Sequence, residues 1–347
     1  MHSNPVKYKA LTLLTWLLAS TLLMQAQNKN ISPTDRKILQ VKEDSLRVIG
    51  DSMINAIGPG TRFLQDSQFV KTLVRALKTK NSFYYPFDKL ETISRLYAPD
   101  SSFRIFTWQM KKDEYFYLQR GAIQMRTADG SLKLYPLFDA SMFTKKPNDS
   151  LRTRTNWIGA IYYNVIQKEY NGRPYYTFLG FDDFTVGSNR KWLEVMHFDP
   201  QSGEPRFGGP VISFKEDTGK LKNVVLNRFH IEYKKEARTT FNYNKELDMI
   251  IYDHLISESE QPERKESYIP DGDFEGFKWQ QGQWVHVDKV FDFKLKEGDV
   301  PMEQQLRDKS GQINEERLME QSIRNLEKSK QEATPAPAPA PAKKKKG

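Results

Sequence analysis

Between about Ser102 and Asp288 the sequence reverses direction every few residues, and that rhythm limits the fold more than any other feature. Aromatic and branched residues fill 103–110, 115–126, 132–138, 157–170 and 175–181. Turn signals stand between them. Asp129-Gly130 is one, and Asn171-Gly172 suits a two-residue hairpin because both positions tolerate positive φ. Further strands are expected at 191–198, 223–233, 239–243, 247–255, 274–279 and 283–287. They are spaced by turns at Gln201-Ser202-Gly203, Asp217-Thr218-Gly219, Asn244-Lys245-Glu246 and Gln280-Gln281-Gly282. Short strands at this spacing predict an antiparallel, meander-type β body over residues 100–298, closed as a barrel or packed as two sheets. A propeller is the less favoured form, because no strict blade-length period is present.

A helical segment is expected ahead of this body, over residues 27–99. Ser32-Pro33-Thr34-Asp35 offers a capping serine, a proline at the first helical position and an acid three residues after the cap. Leu39, Leu46, Ile49, Met53 and Ile57 then recur on one helical face, and Gly58-Pro59-Gly60 reads as its end. Phe69, Val70, Leu73, Val74 and Leu77 mark a second helix, with Lys78 and Lys80 favourably placed at its C-terminus. A third, shorter helix is expected around Leu90, Ile93 and Tyr97, closed by Pro99. The fold class is therefore α+β and mainly β.

The two ends have other compositions. Lys7 and Lys9, an apolar run from Ala10 to Leu23 and a small residue at Ala26 follow the order of a cleaved secretory signal over residues 1–26. The run falls short of the roughly 20 apolar residues of a membrane-spanning helix, and no later segment reaches that length. An exported body without cysteine must draw its stability from its core alone. Residues 299–332 read as a charged helix. Four Pro-Ala pairs in the tail 333–347 predict a disordered, extended arm of roughly 25 Å before Lys343, Lys344, Lys345 and Lys346. Those four lysines and the two of the leader supply six of the nine net positive charges. A nucleic-acid binder gathers charge on its folded body, so no nucleic-acid partner is expected. The lysines point instead to an envelope polyanion, and the charged helix to an envelope protein.

No catalytic signature assembles from spacing. His197, His230, His254 and His286 each fall in strand-like runs, and none has a partner at metal-ligand spacing. Asp182-Asp183 end an aromatic strand, where two carboxylates can serve a glycosidase if a third group shapes the site. Asp182, Asp183, His197, His254 and His286 are therefore the acid-base candidates. Asp271-Gly272-Asp273-Phe274-Glu275-Gly276 has the front of a calcium loop, but Gly282 stands where its bidentate glutamate belongs, and a turn is expected. No metal or cofactor is expected. Aromatics make up 12% of the chain, enough for both a β core and a binding groove. Trp157, Tyr176, Trp192, Trp279 and Trp284 are the groove candidates.

At YYTFLGFDDF (175–184), GEPRFGGPVI (203–212), LDMIIYDHLI (247–256) and GFKWQQGQWVHVD (276–288) the chain resembles exported proteins of unknown function common in Bacteroidetes-type Gram-negative bacteria. The resemblance covers roughly residues 102–288 and implies a periplasmic or envelope setting, with no activity and no site residues. The expected function is a non-enzymatic exported protein that binds or scaffolds an envelope component. The alternative is a secreted hydrolase using Asp and His groups on glycan or ester bonds.

Overall fold

The computed structural model describes residues 31–113, 115–214 and 224–291. Two helices lead. In α1, Pro33–Asn55, the Ser32 side chain accepts from the Asp35 amide (3.0 Å) and Pro33 opens the first turn. Leu39, Leu46 and Met53 are fully buried. Ile57 lies past the helix end and is 98% exposed. The first helix ends earlier than Gly58-Pro59-Gly60, at Asn55 with Ala56 as its cap, and that run begins the second helix instead. Pro59 is the first residue of α2, Pro59–Leu77, because proline's missing amide costs nothing at a helix start.

The expected third helix is a strand. Residues 94–97 form β1, Ser94–Tyr97, paired antiparallel with β2, Phe103–Lys111. The spacing of Leu90, Ile93 and Tyr97 imitates a helical face, but the backbone partner offered by β2 decides the local conformation. β3, Tyr117–Met125, and β4, Lys133–Phe138, complete a four-stranded antiparallel meander.

The second sheet contains β5, Arg152–Thr153, β6, Ile161–Tyr170, β7, Arg173–Asp182, β8, Ser188–Phe198, and β9, Pro205–Phe207. Asn171 (φ 52°) and Gly172 (φ 69°) form the β6–β7 hairpin turn with both residues in the left-handed region, as expected of that dipeptide. β8 is shared along its length: its first part pairs with β12, Arg228–Lys234, and its end pairs with β9. The third sheet is built from β10, Ile212–Phe214, β11, Val224–Leu226, β13, Phe241–Asn244, β14, Met249–Ser257, β15, Tyr268–Gln280, and β16, Gln283–Val287. The expected single strand over 223–233 is thus two, β11 and β12, in different sheets. The turn at Asp217-Thr218-Gly219, the charged helix and the tail lie outside the described residues.

Among the described residues the strands form three open sheets, neither a closed barrel nor two packed sheets. The burial pattern explains why. A barrel wall turns one apolar face inward, whereas β2 and β8 bury both faces. On β2, Phe106, Trp108 and Met110 pack under the helices with Leu39, Leu46 and Phe69. Phe103 and Ile105, on its opposite face, meet Tyr162, Tyr176 and Phe178 of the second sheet. Leu179, Leu193 and Val195, on the far face of that sheet, meet Ile250, Phe277 and Trp284 of the third. The layers are helices, sheet, sheet, sheet.

Polar bonds pin these layers in register. Thr107 Oγ1 accepts from the Tyr162 amide (2.9 Å) between the first and second sheets. Trp284 Nε1 donates to Thr177 Oγ1 (2.8 Å) between the second and third. Asp66 of α2 accepts from Trp108 and Arg120 (both 3.1 Å), tying helix to sheet. Arg104 is 1% exposed and donates to the Gln124 side chain, the Tyr85 and Ser82 carbonyls and the Tyr97 hydroxyl, between the rings of Phe87 and Phe106. Burial lowers its guanidinium to about 10, still protonated at neutral pH.

The most deeply buried charge pair among the described residues joins β8 to β12. Arg228 Nε donates to Glu194 Oε1 (2.9 Å), with side chains 1% and 2% exposed. Glu194 also accepts from the Tyr162 hydroxyl, which in turn accepts from Trp157 Nε1 (2.9 Å). Arg228 reaches onward to the carbonyls of Pro147, Ser150 (3.0 Å) and Phe207 (3.3 Å). Removing one partner of such a pair strands a buried charge. Glu194→Gln is expected to lower unfolding free energy by about 3–5 kcal/mol in urea titrations. The double change Glu194→Leu, Arg228→Met is expected to cost clearly less than the sum of the single changes. Additive losses would show that the two side chains do not act as a pair.

Candidate functional site: a cavity between the first two sheets

A cavity of about 470 Å³ opens between the first and second sheets, within the range of roughly 300–1,000 Å³ seen for small-ligand pockets. Tyr117, Phe184 and Trp192 give it aromatic walls, and Asp182, Arg190 and His230 supply its polar groups. The segment after β4 forms its rim. There Met142, which lines the cavity, is 50% exposed, and its neighbour Phe143 is 84% exposed.

Strand register places the polar groups. Asp182 is the last residue of β7, and its cross-strand partner on β8 is Arg190. Gln119 of β3 reaches across from the first sheet and donates to Asp182 Oδ1 (2.7 Å). The chain passes too close to Gln119 for a side chain at Gly159: a Cβ there would lie 2.0 Å from Gln119 Cβ. Arg190 is held by two bonds to Glu232 (both 2.8 Å) and lies over the Phe184 ring. Glu232 also accepts from Ser188 (2.7 Å). Across the strand pair, His230 stacks on Trp192 with ring centres 4.5 Å apart. Its Nδ1 faces Asn148 Oδ1 (3.1 Å) and so carries the proton. The Trp192 Nε1 donor and the Gln119 Oε1 acceptor are buried with no hydrogen-bond partner among the described residues.

Burial dominates the electrostatics. It pushes the Asp182 carboxyl up to about 7; Arg190 opposes the shift, while Asp139 and Asp183 add to it. Burial, with Arg190, Arg228 and Lys265 nearby, pushes His230 down to about 3, so this imidazole is neutral near neutral pH. Burial and a hydrogen bond to Asp183 hold the Tyr117 phenol above its usual range.

The sequence candidates separate. Asp182 faces the cavity, but its neighbour Asp183 pairs with Lys235 and Tyr117. His197, half-buried on β8, packs against Tyr175. His254 and His286 gather instead around Glu275 on the third sheet. There Glu275 accepts from His286 Nε2 (2.7 Å) and the Tyr252 hydroxyl (2.5 Å), and His254 Nε2 lies 3.6 Å away. The Asp-His convergence required of the hydrolase assignment is not formed by these five residues.

His254 donates from Nδ1 to Asp271 Oδ2 (2.7 Å). Burial opposes its charged form, but Asp271, Glu275 and Asp273 outweigh that and hold the imidazole above its usual range. A second pocket of about 280 Å³ opens beside His254 and Glu275. The supposed calcium-loop front is part of β15; Asp271 and Glu275 serve this hydrogen-bond cluster, while Asp273 lies 3.9 Å from Lys289.

Most aromatic groove candidates are core. Trp157 and Trp284 are 0% exposed, Tyr176 is 2% and Trp192 is 3%. Trp157, Tyr176 and Trp284 fill the interlayer spaces because paired sheets can pack closely only through large side chains. Trp192 alone of the five lines the 470 Å³ cavity, while Trp279 is half-buried against Tyr175 and Trp284. Lys343, Lys344, Lys345 and Lys346 lie outside the described residues. Arg190, Gln119 and Glu275 were not among the candidates. Arg190 was accessible through β7–β8 hairpin register, but Gln119 had no local signal.

Among the described residues no helix is long and apolar enough to cross a membrane. No family model, curated protein or solved structure matches the chain.

Asp182 makes stability depend on pH in a defined direction. Its folded value stands above the ordinary 3.8, so the folded state binds the proton more tightly than the unfolded state. The associated stabilisation is complete below about 3.8 and is lost as pH rises to about 7. Relative to Asp182→Asn, the native protein is expected to lose thermal stability across that window and to run parallel above it. A constant difference from pH 4 to 8 would show that Asp182 titrates normally.

Proposed function

We propose that this chain is a non-enzymatic exported envelope protein that binds a small envelope component in the cavity between its first two sheets. The export part of this reading draws on the leader pattern and on the resemblance to exported Bacteroidetes-type proteins. The observation that carries the binding part is the cavity's composition. Aromatic walls surround a few polar groups, Asp182, Arg190 and His230 among them, which is how small-molecule sites combine affinity with orientation.

Binding accounts for the polar groups better than hydrolysis does. Asp182 has a proton affinity suited to a general acid, but a glycosidase needs a second carboxylate to attack or activate water. Asp183 is committed to Lys235 and Tyr117. Asp139 accepts from the Gln119 and Ser141 amides (2.9 and 2.8 Å). The basic tail is an accessory in this reading, adding attraction to anionic envelope surfaces without taking part in the cavity.

Native mass spectrometry of protein recovered from the envelope of its own host tests both parts. The expected result is a chain beginning at Gln27 that carries a non-covalent small molecule. Met142→Trp, which narrows the cavity mouth, is expected to lose that mass while keeping the circular dichroism spectrum. A bare chain, or equal retention by Met142→Trp, would overturn the cavity assignment, and an intact leader on all recovered protein would overturn cleavage.

A further inference from the structure

We infer that an open trough beside the β6 bulge binds the phosphate of a phosphomonoester, held by Lys191 and Arg238, with the ester's carbon skeleton against Tyr163 and Phe181. This second site shares no lining residue with the cavity between the first two sheets and does not depend on it.

Strand register builds the site. Phe181 and Lys191 are cross-strand partners on β7 and β8. Each stands two residues from Leu179 or Leu193, so the four side chains share one face of the second sheet. Leu179 and Leu193 pack against the third sheet, whereas Phe181 and Lys191 line a trough of about 450 Å³. β6 is bulged between Tyr162 and Asn164, and a bulge re-aims the extra side chain. That residue is Tyr163, which lines the trough with its hydroxyl donating to the Phe241 carbonyl (2.6 Å) and is 38% exposed. Tyr233 of β12 and the 237–239 segment after it complete the lining.

The charges give the sign of the ligand. Lys191 and Arg238 are the charged residues of the lining, and both are cations. Lys191 Nζ donates to the Thr239 carbonyl, and no ion pair among the described residues includes it or Arg238. Burial holds the Lys191 ammonium below its ordinary value. Asp253 opposes that shift, but its carboxylate accepts from the Thr240 amide and does not line the trough. Glu236, two residues before Arg238, acts on Lys234. A partly buried cation without a carboxylate partner favours an anionic ligand.

The kinds of cation give the ligand's class. Arg238 supplies a planar fork of donors and Lys191 a compact point charge. A carboxylate has two oxygens, and a guanidinium fork can occupy both. The three terminal oxygens of a phosphomonoester can serve the fork and the ammonium together. The rings of Tyr163 and Phe181 offer apolar surface to the rest of the molecule. A soluble ester and the headgroup of phosphatidic acid carry the same group.

Isothermal titration of the chain from Gln27 to Gly347 with phenyl phosphate, inorganic phosphate and benzoate provides the test. Phenyl phosphate should bind, with inorganic phosphate weaker for want of a ring and benzoate about tenfold weaker for want of the third oxygen. Arg238→Gln alters an exposed side chain and should weaken phenyl phosphate about tenfold with the circular dichroism spectrum unchanged. Lys191→Met should weaken it by a similar factor, and Arg238→Gln decides the matter if Lys191→Met does not fold. Replacing Lys343, Lys344, Lys345 and Lys346 by glutamine should leave the affinity unchanged. Flotation with phosphatidylcholine vesicles, with and without phosphatidic acid, distinguishes the sources. Arg238-dependent capture by the phosphatidic acid vesicles assigns a lipid headgroup, and binding of phenyl phosphate without such capture assigns a soluble ester.

Absence of phenyl phosphate binding would overturn the inference. So would benzoate binding equally well, full affinity in Arg238→Gln, or loss of affinity on replacing the four tail lysines. Met142→Trp should leave phenyl phosphate binding intact, so this site and the cavity can each fail alone.

Discussion

The buried pair between Arg228 and Glu194 is the interaction on which the layered body and its cavity jointly depend. It lies across β8 and β12, on the face of the second sheet that meets the first. A charge pair at 1–2% exposure is a poor source of net stability, because both ions lose their hydration. Its consequence here is positional. Glu194 fixes Tyr162 and, through it, Trp157, while Arg228 gathers the carbonyls of the 147–150 segment and of Phe207. Pro147, Trp192 and His230, all in or beside that network, line the cavity. The wall of the site is thus an extension of the most deeply buried ion pair among the described residues.

Packing three sheets in succession has a further effect. The middle sheet has no solvent-facing side over much of its area, so a polar residue on it must find a partner in an adjacent layer or remain costly. Thr177 is satisfied in this way, and Asp182 is satisfied in part by Gln119. The remaining capacity at Asp182 occurs where the layers separate into the cavity. The polar cluster around Glu275 follows the opposite course. Tyr252, His286 and Glu275 satisfy one another, and His254 is oriented by Asp271, which makes this group largely complete within the third sheet.

Local physical rules made much of the fold legible. The Ser32 cap, the proline start of the first helix and the Asn171-Gly172 hairpin depend on neighbours within a few residues. The sorting of strands into sheets depends on contacts far apart in sequence. Nothing local separates β11 from β12, and β12 pairs with β8 about 40 residues earlier, a closure set by tertiary packing. The helical spacing of Leu90, Ile93 and Tyr97 lost to strand pairing for the same reason. Asp182 stood out as an acid at a strand end, but its bond to Gln119 spans 63 residues and carried no sequence signal. The tryptophans were visible as a class. Which of them faced a cavity depended on the order of the layers.

The most direct measurement is a crystal structure of the protein purified from its host envelope without denaturation. The account predicts a bound small molecule in the cavity between the first and second sheets, within hydrogen-bond distance of Asp182. A cavity closed by side-chain movement, or a ligand bound only at the Glu275 pocket, would contradict it.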